Sequence, residues 1–123
     1  MRQPSSTLTG QELEIMKIVW EHDRATVRDV YEALLERRKV AYTTVMTMMK
    51  ILEQKKYLKK SQVDRAYVYR PAQPQHKVIG AMVREFVNRV FNGSAEPLLV
   101  HLVEEHDLSH EEWEEIARLR RKS

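Results

Sequence analysis

Residues 41–56 read AYTTVMTMMKILEQKK, and their pattern is the most informative in the chain. The apolar residues of this stretch fall at i, i+3, i+4 and i+7, which is the spacing of one buried helix face, and they are Val45, Met48, Met49 and Leu52. The outward positions carry no carboxylate, although glutamate is usual on exposed helix faces, and they are Thr43, Thr44, Met46, Thr47 and Lys50. We therefore predict an amphipathic helix whose outer face serves a purpose other than solubility.

Two further helices are predicted ahead of this stretch, each marked by a capping box at its start. The first begins at Thr9, with Glu12 three residues later, and the second begins at Thr26, with Asp29 three residues later. The inner face predicted for the second helix is apolar and comprises Val27, Val30, Tyr31, Leu34 and Leu35. The chain thus opens with three amphipathic helices.

After the third helix the sequence changes from a helical to an alternating period. Residues 66–70, AYVYR, alternate with period two, and the preceding link SQVDR contains the turn-forming residue Asp64 but no glycine. Pro71 and Pro74 end the segment, because proline cannot donate to a ladder or continue a helix. We predict a two-stranded hairpin over Tyr57–Arg70. The predicted fold class is mainly α, with residues 1–74 forming a winged helix-turn-helix of three helices and a two-stranded wing.

In a winged helix the third helix enters the major groove of DNA and the hairpin lies along the phosphates. Threonine suits such a helix because it is short, carries a hydroxyl group and offers a methyl group to thymine, whereas a carboxylate would repel phosphate. The residues predicted to read bases are Thr43, Thr44, Met46, Thr47 and Lys50. The residues predicted to contact phosphates are Tyr42, Lys55, Lys56, Lys59, Lys60 and Arg65. The alternative is that the threonines on this face are incidental.

Basic residues are concentrated in the same part of the chain. Residues 1–75 contain 14 Lys and Arg against 9 Asp and Glu, whereas residues 76–123 contain 7 against 9. A local basic patch in a protein of net charge +3 favours a polyanion partner, here double-stranded DNA. Two alternatives stay open: a solvated lysine-rich face, and a winged helix that binds another protein without reading DNA sequence.

Residues 75–123 are predicted to form three short helices with unusually apolar faces. The sequence Asn92-Gly93-Ser94 separates the first from the second, and Ser109 with Glu112 forms a capping box for the third. On a monomer these faces would be exposed, so we predict a helical dimerisation region that pairs two copies about a two-fold axis. The predicted dimerisation residues are Val83, Phe86, Val87, Val90, Leu98, Leu99, Leu102, Val103, Trp113 and Ile116. The alternative is that these helices pack only on the first helix of their own chain.

Four segments together resemble the penicillinase repressor (BlaI/MecI) family. They are LTGQELEIMKIVW at 8–20, ATVRDVYEAL at 25–34, AYTTVMTMMKILEQKKYL at 41–58 and DRAYVYRP at 64–71. The resemblance implies a dimeric bacterial repressor that binds an inverted repeat in the promoters of a resistance or signalling operon. In related systems a membrane sensor-protease relieves repression by cleaving the repressor.

The chain departs from the family pattern at the cleavage site. The family is cut at an Asn-Phe bond, and matching the segments VFNGS and EEHDLS places that bond near His101-Leu102 in this chain. Because Asn-Phe is missing, cleavage either does not occur or uses another sequence. The wing loop lacks the family's glycine, so a tighter wing is expected. With no cysteine in the chain, the thiolate copper sensing of some relatives is excluded.

Nothing in the sequence indicates an enzyme, a cofactor or a metal site. There is no Gly-rich phosphate loop, and the predicted cap at Ser109 separates His106 from His110. No run reaches the roughly 18 apolar residues that span a membrane, and the start MRQPSSTLTG lacks the apolar region of a secretory signal. We therefore expect a non-enzymatic, cytoplasmic DNA-binding protein without a cofactor and without membrane insertion.

Overall fold

The computed structural model describes residues 7–106 and 108–122. The first helix, α1, covers Gly10–His22. Its capping box is confirmed: the Glu12 backbone N–H donates to Thr9 Oγ1 over 3.1 Å, and the Thr9 N–H donates to Glu12 Oε1 over 2.9 Å. These bonds satisfy N–H groups that the first turn of a helix leaves without partners, so the start of α1 is fixed locally.

The second helix, α2, covers Val27–Leu35 and also begins with the predicted capping box. The Asp29 backbone N–H donates to Thr26 Oγ1 over 3.1 Å, and the Thr26 N–H donates to Asp29 Oδ2 over 2.9 Å. Val30 and Leu34 are buried, as predicted, but Leu35 leaves 43% of its surface exposed, so its assignment to the inner face was wrong. Leu35 is one residue, or about 100°, beyond Leu34, which already takes the core position on the last turn.

The third helix, α3, covers Tyr42–Gln54, and the face that the sequence predicts to be buried packs into the core. Val45, Met49 and Leu52 are completely buried, and Met48 packs against the same cluster. The helix ends where Lys56 takes a positive φ of 72° and the Tyr57 backbone N–H donates to the Leu52 carbonyl over 2.9 Å. This left-handed closure turns the chain directly into the wing.

The predicted hairpin is confirmed as two antiparallel strands, β1 at Leu58–Val63 and β2 at Ala66–Pro71. Val63 pairs with Ala66, so only Asp64 and Arg65 form the turn, with φ of 50° and 72°. Two successive left-handed residues match the turn type that suits the twist of a tight hairpin. An isolated bridge between Ala25 and Tyr69 attaches the wing to the loop before α2.

Three helices follow the wing: α4 at Gln75–Val90, α5 at Ala95–His106 and α6 at His110–Lys122. The chain divides into two compact units within α4, after Met82, and Val78 is buried in the core of the first unit. The predicted cap of α6 is confirmed, because the Glu112 backbone N–H donates to Ser109 Oγ over 3.1 Å. In the second unit, no residue whose burial the structure describes is buried.

None of the helices in the described part of the chain combines the length and the apolar character needed to cross a lipid bilayer.

Candidate nucleic-acid interface

The outer face of α3 is exposed along its whole length. We call it the reading face, and it consists of Thr43, Thr44, Met46, Thr47 and Lys50, all of which are exposed. The first turn of α3 contains no acidic residue. The opposite side of α3 is buried in the core, and this burial fixes the direction in which the reading face points. A ridge of hydroxyl groups, one thioether and one cation therefore stands in solvent without a carboxylate.

The start of α3 differs from the starts of α1 and α2. Ala41 takes the N-cap position and offers no side-chain hydrogen bond, whereas Thr9 and Thr26 cap their helices. Uncapped backbone N–H groups at the positive end of a helix dipole favour an anion. Tyr42, which opens α3, is exposed and packs edge-to-face on Tyr31 with 5.3 Å between the ring centroids. The start of α3 thus presents donors beside an ordered aromatic ring.

Lys55, for which the sequence predicts a phosphate contact, makes a different interaction in the structure. Its ammonium lies 3.0 Å and 3.1 Å from the two carboxylate oxygens of Glu12. Glu12 is buried, with 5% of its surface exposed, and Lys55 keeps 28% of its side chain exposed. The pair joins the beginning of α1 to the end of α3. A buried carboxylate needs such a partner, so the contact gives Lys55 a structural role.

Lys60 lies on the face of the wing that packs toward the helices. It pairs in register with the buried Tyr69, and residues opposite each other in an antiparallel ladder share a face. Its ammonium is 4.3 Å from the ring centroid of Tyr67 and 3.6 Å from Glu53 Oε1. These contacts hold Lys60 beside the reading face, although Glu53 offsets part of its charge.

The other predicted phosphate-contacting cations are spread around the wing. Lys59 pairs in register with Arg70 on the opposite face from Lys60, and both residues are exposed. Lys56 is exposed at the entry to the wing, and Arg65 is exposed at its tip. The structure therefore brings Lys60 next to α3 and places Lys56, Lys59 and Arg65 at separate points on the surface of the hairpin.

A cleft of about 650 Å³ lies between the start of α2, α3 and the wing. Four of its lining residues belong to the predicted site, namely Tyr42, Met46, Lys50 and Lys60. Six others were not predicted, and they are Thr26, Val27, Arg28, Ala66, Tyr67 and Tyr69. Burial raises the pKa of the Tyr69 phenol above its ordinary value. The capping box at Thr26 locates the start of α2 in the sequence, but only the fold shows that the start of α2 faces the wing.

The predicted dimerisation residues form apolar faces on the second unit. Val83, Val90 and Leu99 leave 50%, 48% and 44% of their surfaces exposed. Exposure is similar for Phe86, Leu102, Val103 and Ile116, whereas Val87, Leu98 and Trp113 are half-buried. His101 and Leu102, which match the family's cleavage position, lie in the middle of α5 and are exposed. Across the described residues, no group of three or more His, Asp or Glu side chains is arranged to hold a metal ion.

Comparisons with known proteins match this arrangement. The family described as "Penicillinase repressor" matches residues 8–122. The penicillinase repressor of Bacillus licheniformis is 28% identical over 91% of this chain and 88% of its own length. The transcriptional regulator BlaI of Mycobacterium tuberculosis is 38% identical over 76% of this chain and 69% of its own length.

A solved structure of the monomeric form of BlaI from Bacillus licheniformis, in complex with the blaP half-operator, also resembles the chain. The two superpose with a TM-score of 0.50 at 27% identity, over 60% of this chain and 88% of that one. The winged-helix fold, the exposed carboxylate-free face of α3 and a family match over nearly the whole sequence agree with one another. This chain is therefore a member of the penicillinase repressor family.

Proposed function

We propose that this chain is a sequence-specific DNA-binding transcriptional repressor that acts as a homodimer on an inverted-repeat operator. The observation that carries the proposal is the reading face, because five exposed residues without a carboxylate occupy the helix face that a winged helix presents to the major groove. In this proposal Thr43, Thr44 and Thr47 contact base edges, and Met46 contributes an apolar contact. Lys50 reaches a base or the adjacent backbone.

The proposed phosphate contacts lie beside this face and on the wing. Lys60 borders α3 directly, and Arg65 extends from the turn of the wing. Arg28 at the start of α2 joins this set, since it lines the same cleft as Lys50 and Lys60. Such contacts fix the register of the protein on the duplex, whereas the base contacts carry the sequence information. The half-operator complex formed by the similar BlaI supports binding of DNA by this fold.

The exposed apolar faces of the second unit support the homodimer. Isolated apolar side chains on a surface are ordinary, but α4, α5 and α6 each expose large ones, including Phe86, Leu99 and Ile116. Pairing with an identical copy would remove these faces from water, and a two-fold dimer matches a palindromic operator. In this proposal residues 1–74 bind DNA and residues 75–123 hold the two copies together.

Relief of repression by a membrane sensor-protease is part of the same proposal. The bond that matches the family's cleavage position, His101-Leu102, lies within the hydrogen-bonded middle of α5. Cleavage there requires α5 to open locally and a protease that accepts His-Leu in place of Asn-Phe. The test is mass spectrometry of the chain recovered from induced cells: fragments ending at His101 support this route, and an intact chain during derepression contradicts it.

Salt dependence tests whether the chain binds DNA through phosphates. We expect the logarithm of the association constant for a duplex selected from a random pool to fall linearly with the logarithm of the KCl concentration. Each phosphate neutralised contributes a slope of about −0.9, so the five cations Arg28, Lys56, Lys59, Lys60 and Arg65 predict roughly −4 to −5 per chain. Fluorescence anisotropy measures the affinity. A flat response would favour a winged helix that binds another protein instead.

Two lysine variants test which lysine stabilises the fold and which one contacts DNA. Lys55→Met leaves the buried Glu12 carboxylate without its cation, with only the Thr9 N–H as a hydrogen-bond partner among the described residues, so we expect the free energy of unfolding to fall by about 1 to 3 kcal/mol. The salt slope of DNA binding should not change. Lys59→Met removes the same charge from an exposed position, so it should leave stability unchanged and reduce the salt slope by about 0.9. Urea denaturation and anisotropy measure the two quantities, and the reverse pattern would contradict both assignments.

A further inference from the structure

We propose that the cleft between α2, α3 and the wing binds a small aromatic carboxylate, and that a filled cleft excludes DNA. The exclusion of DNA rests on the proposed function, whereas ligand binding does not. The volume of the cleft, about 650 Å³, falls within the range of roughly 300 to 1,000 Å³ that is typical of small-molecule sites. Every residue that lines it belongs to the first compact unit.

Two aromatic rings in the cleft are held in place by their neighbours. Tyr42 packs edge-to-face on Tyr31, with an interplanar angle of 76°. Tyr67 lies under the ammonium of Lys60, 4.3 Å from its ring centroid. Rings that are already positioned offer flat apolar area at a small entropic cost on binding. These two walls therefore suit a planar, aromatic ligand.

The third ring, that of Tyr69, is fixed through the backbone. The Tyr69 N–H donates to the Ala25 carbonyl over 2.8 Å, and the Ala25 N–H donates to the Tyr69 carbonyl over 2.9 Å. This bridge fastens the wing to the segment that precedes α2, so the two sides of the cleft are connected. Val27 and Met46 add apolar surface between them. The cleft is thus formed by elements that are joined to each other and not by a loose loop.

The charge of the cleft selects an anion. Its cations are Arg28, Lys50 and Lys60, and the described residues that line it include no carboxylate. Glu32 and Glu53 approach Arg28 and Lys60 at 3.6 Å but do not line the cleft. Lys50 forms no ion pair with any described residue, so its ammonium is available to a ligand. Cations above aromatic and apolar walls match a carboxylate attached to a ring; a phosphate alone would leave those walls uncovered.

Ligand and duplex would compete for the same atoms. Tyr42, Met46 and Lys50 line the cleft and also belong to the surface proposed to face DNA. A ligand that occupies Lys50 and covers Met46 removes both from the duplex. Because the competition is mutual, a ligand that releases DNA must bind the DNA-bound chain more weakly than the free chain.

The test uses 2-naphthoate and its neutral analogue 2-naphthamide, titrated into the DNA-free chain by isothermal calorimetry. We expect one naphthoate per chain and at least a tenfold weaker affinity for the amide, because only the acid carries the charge that the cations recognise. Lys60→Gln and Tyr67→Ala should each weaken naphthoate binding several-fold. Arg70→Gln is the matched control: it removes a cation from the same hairpin, but Arg70 does not line the cleft, so affinity should be unchanged.

The proposed site would be overturned if acid and amide bound equally or if neither bound. It would also be overturned if Arg70→Gln weakened naphthoate binding as much as Lys60→Gln does. In a second measurement naphthoate is added to the complex with the selected duplex, where we expect release of DNA at naphthoate concentrations that rise with the duplex concentration, as competition requires. A ligand that binds without releasing DNA would overturn the exclusion. If the chain bound naphthoate but no duplex at any salt concentration, the proposed function would be overturned and the proposal of a ligand site would be unaffected.

Discussion

Leu99→Asp is expected to convert the dimer to a monomer and to weaken operator binding by about 100-fold or more. Leu99 exposes 44% of its surface on α5, within the apolar face that we propose to pair with a second copy. Burying a carboxylate in such an interface without a partner is costly, so two copies would no longer associate. Each monomer would then bind its half-site independently and lose the effective concentration that the second half of a dimer provides.

Asn88→Asp is the control for added charge. It places the same carboxylate at an exposed position of the same unit but removes no apolar surface. We expect this variant to remain dimeric and to bind the operator with nearly unchanged affinity. Sedimentation velocity gives the mass of each variant, and anisotropy with an intact operator and with a single half-site gives the affinities. If Leu99→Asp still sediments as a dimer, the interface lies elsewhere.

Local sequence signals predicted most of the fold correctly. The capping boxes at Thr9, Thr26 and Ser109 each mark a helix start, because both partners of a capping box lie within one helical turn. The inner face of α3 followed from the spacing of its apolar residues in the same way. Signals of this kind depend only on residues three or four apart, so they can be read without knowing how the chain folds.

The environment of the cations could not be predicted in the same way. Lys55 and Glu12 are 43 residues apart, and nothing in either neighbourhood indicates that they meet. The sequence therefore groups Lys55 with the other lysines of a basic run, and only the packing of α1 against α3 separates it from them. The cleft was missed for a similar reason, since its walls meet through the bridge between Ala25 and Tyr69.

The bounds of the wing turn could not be read from the sequence because its usual signal is absent. Tight two-residue turns favour Asn-Gly or Asp-Gly, in which both residues accept positive φ readily. Here Asp64 and Arg65 take those conformations without a glycine. The first strand consequently extends through Val63, a position that the sequence analysis placed inside the link, whereas Ala66 begins the second strand as predicted. A tight wing carries Arg65 at its tip, where an extended side chain can reach a phosphate.

Replacing all three threonines of the reading face by alanine is expected to abolish most of the preference for operator over scrambled DNA. Removing the side chain that reads one base should cost about 1 to 3 kcal/mol of discrimination at that base. Alanine has a higher helix propensity than threonine, so α3 should remain folded and its stability should rise slightly. Because Thr43, Thr44 and Thr47 carry no charge, the salt slope should stay the same while the ratio of the two dissociation constants falls.

Single substitutions at Thr47 identify which part of the side chain reads the base. Thr47→Ser keeps the hydroxyl group and removes the methyl group, whereas Thr47→Val keeps the methyl group and removes the hydroxyl group. If the hydroxyl donates to or accepts from a base edge, only the valine variant should lose discrimination; if the methyl packs on thymine, only the serine variant should. Competition anisotropy with operators changed at one base pair locates the affected position. Full operator preference in the triple alanine variant would show that the three threonines do not read the sequence, and would leave that role to Met46, Lys50 or another surface.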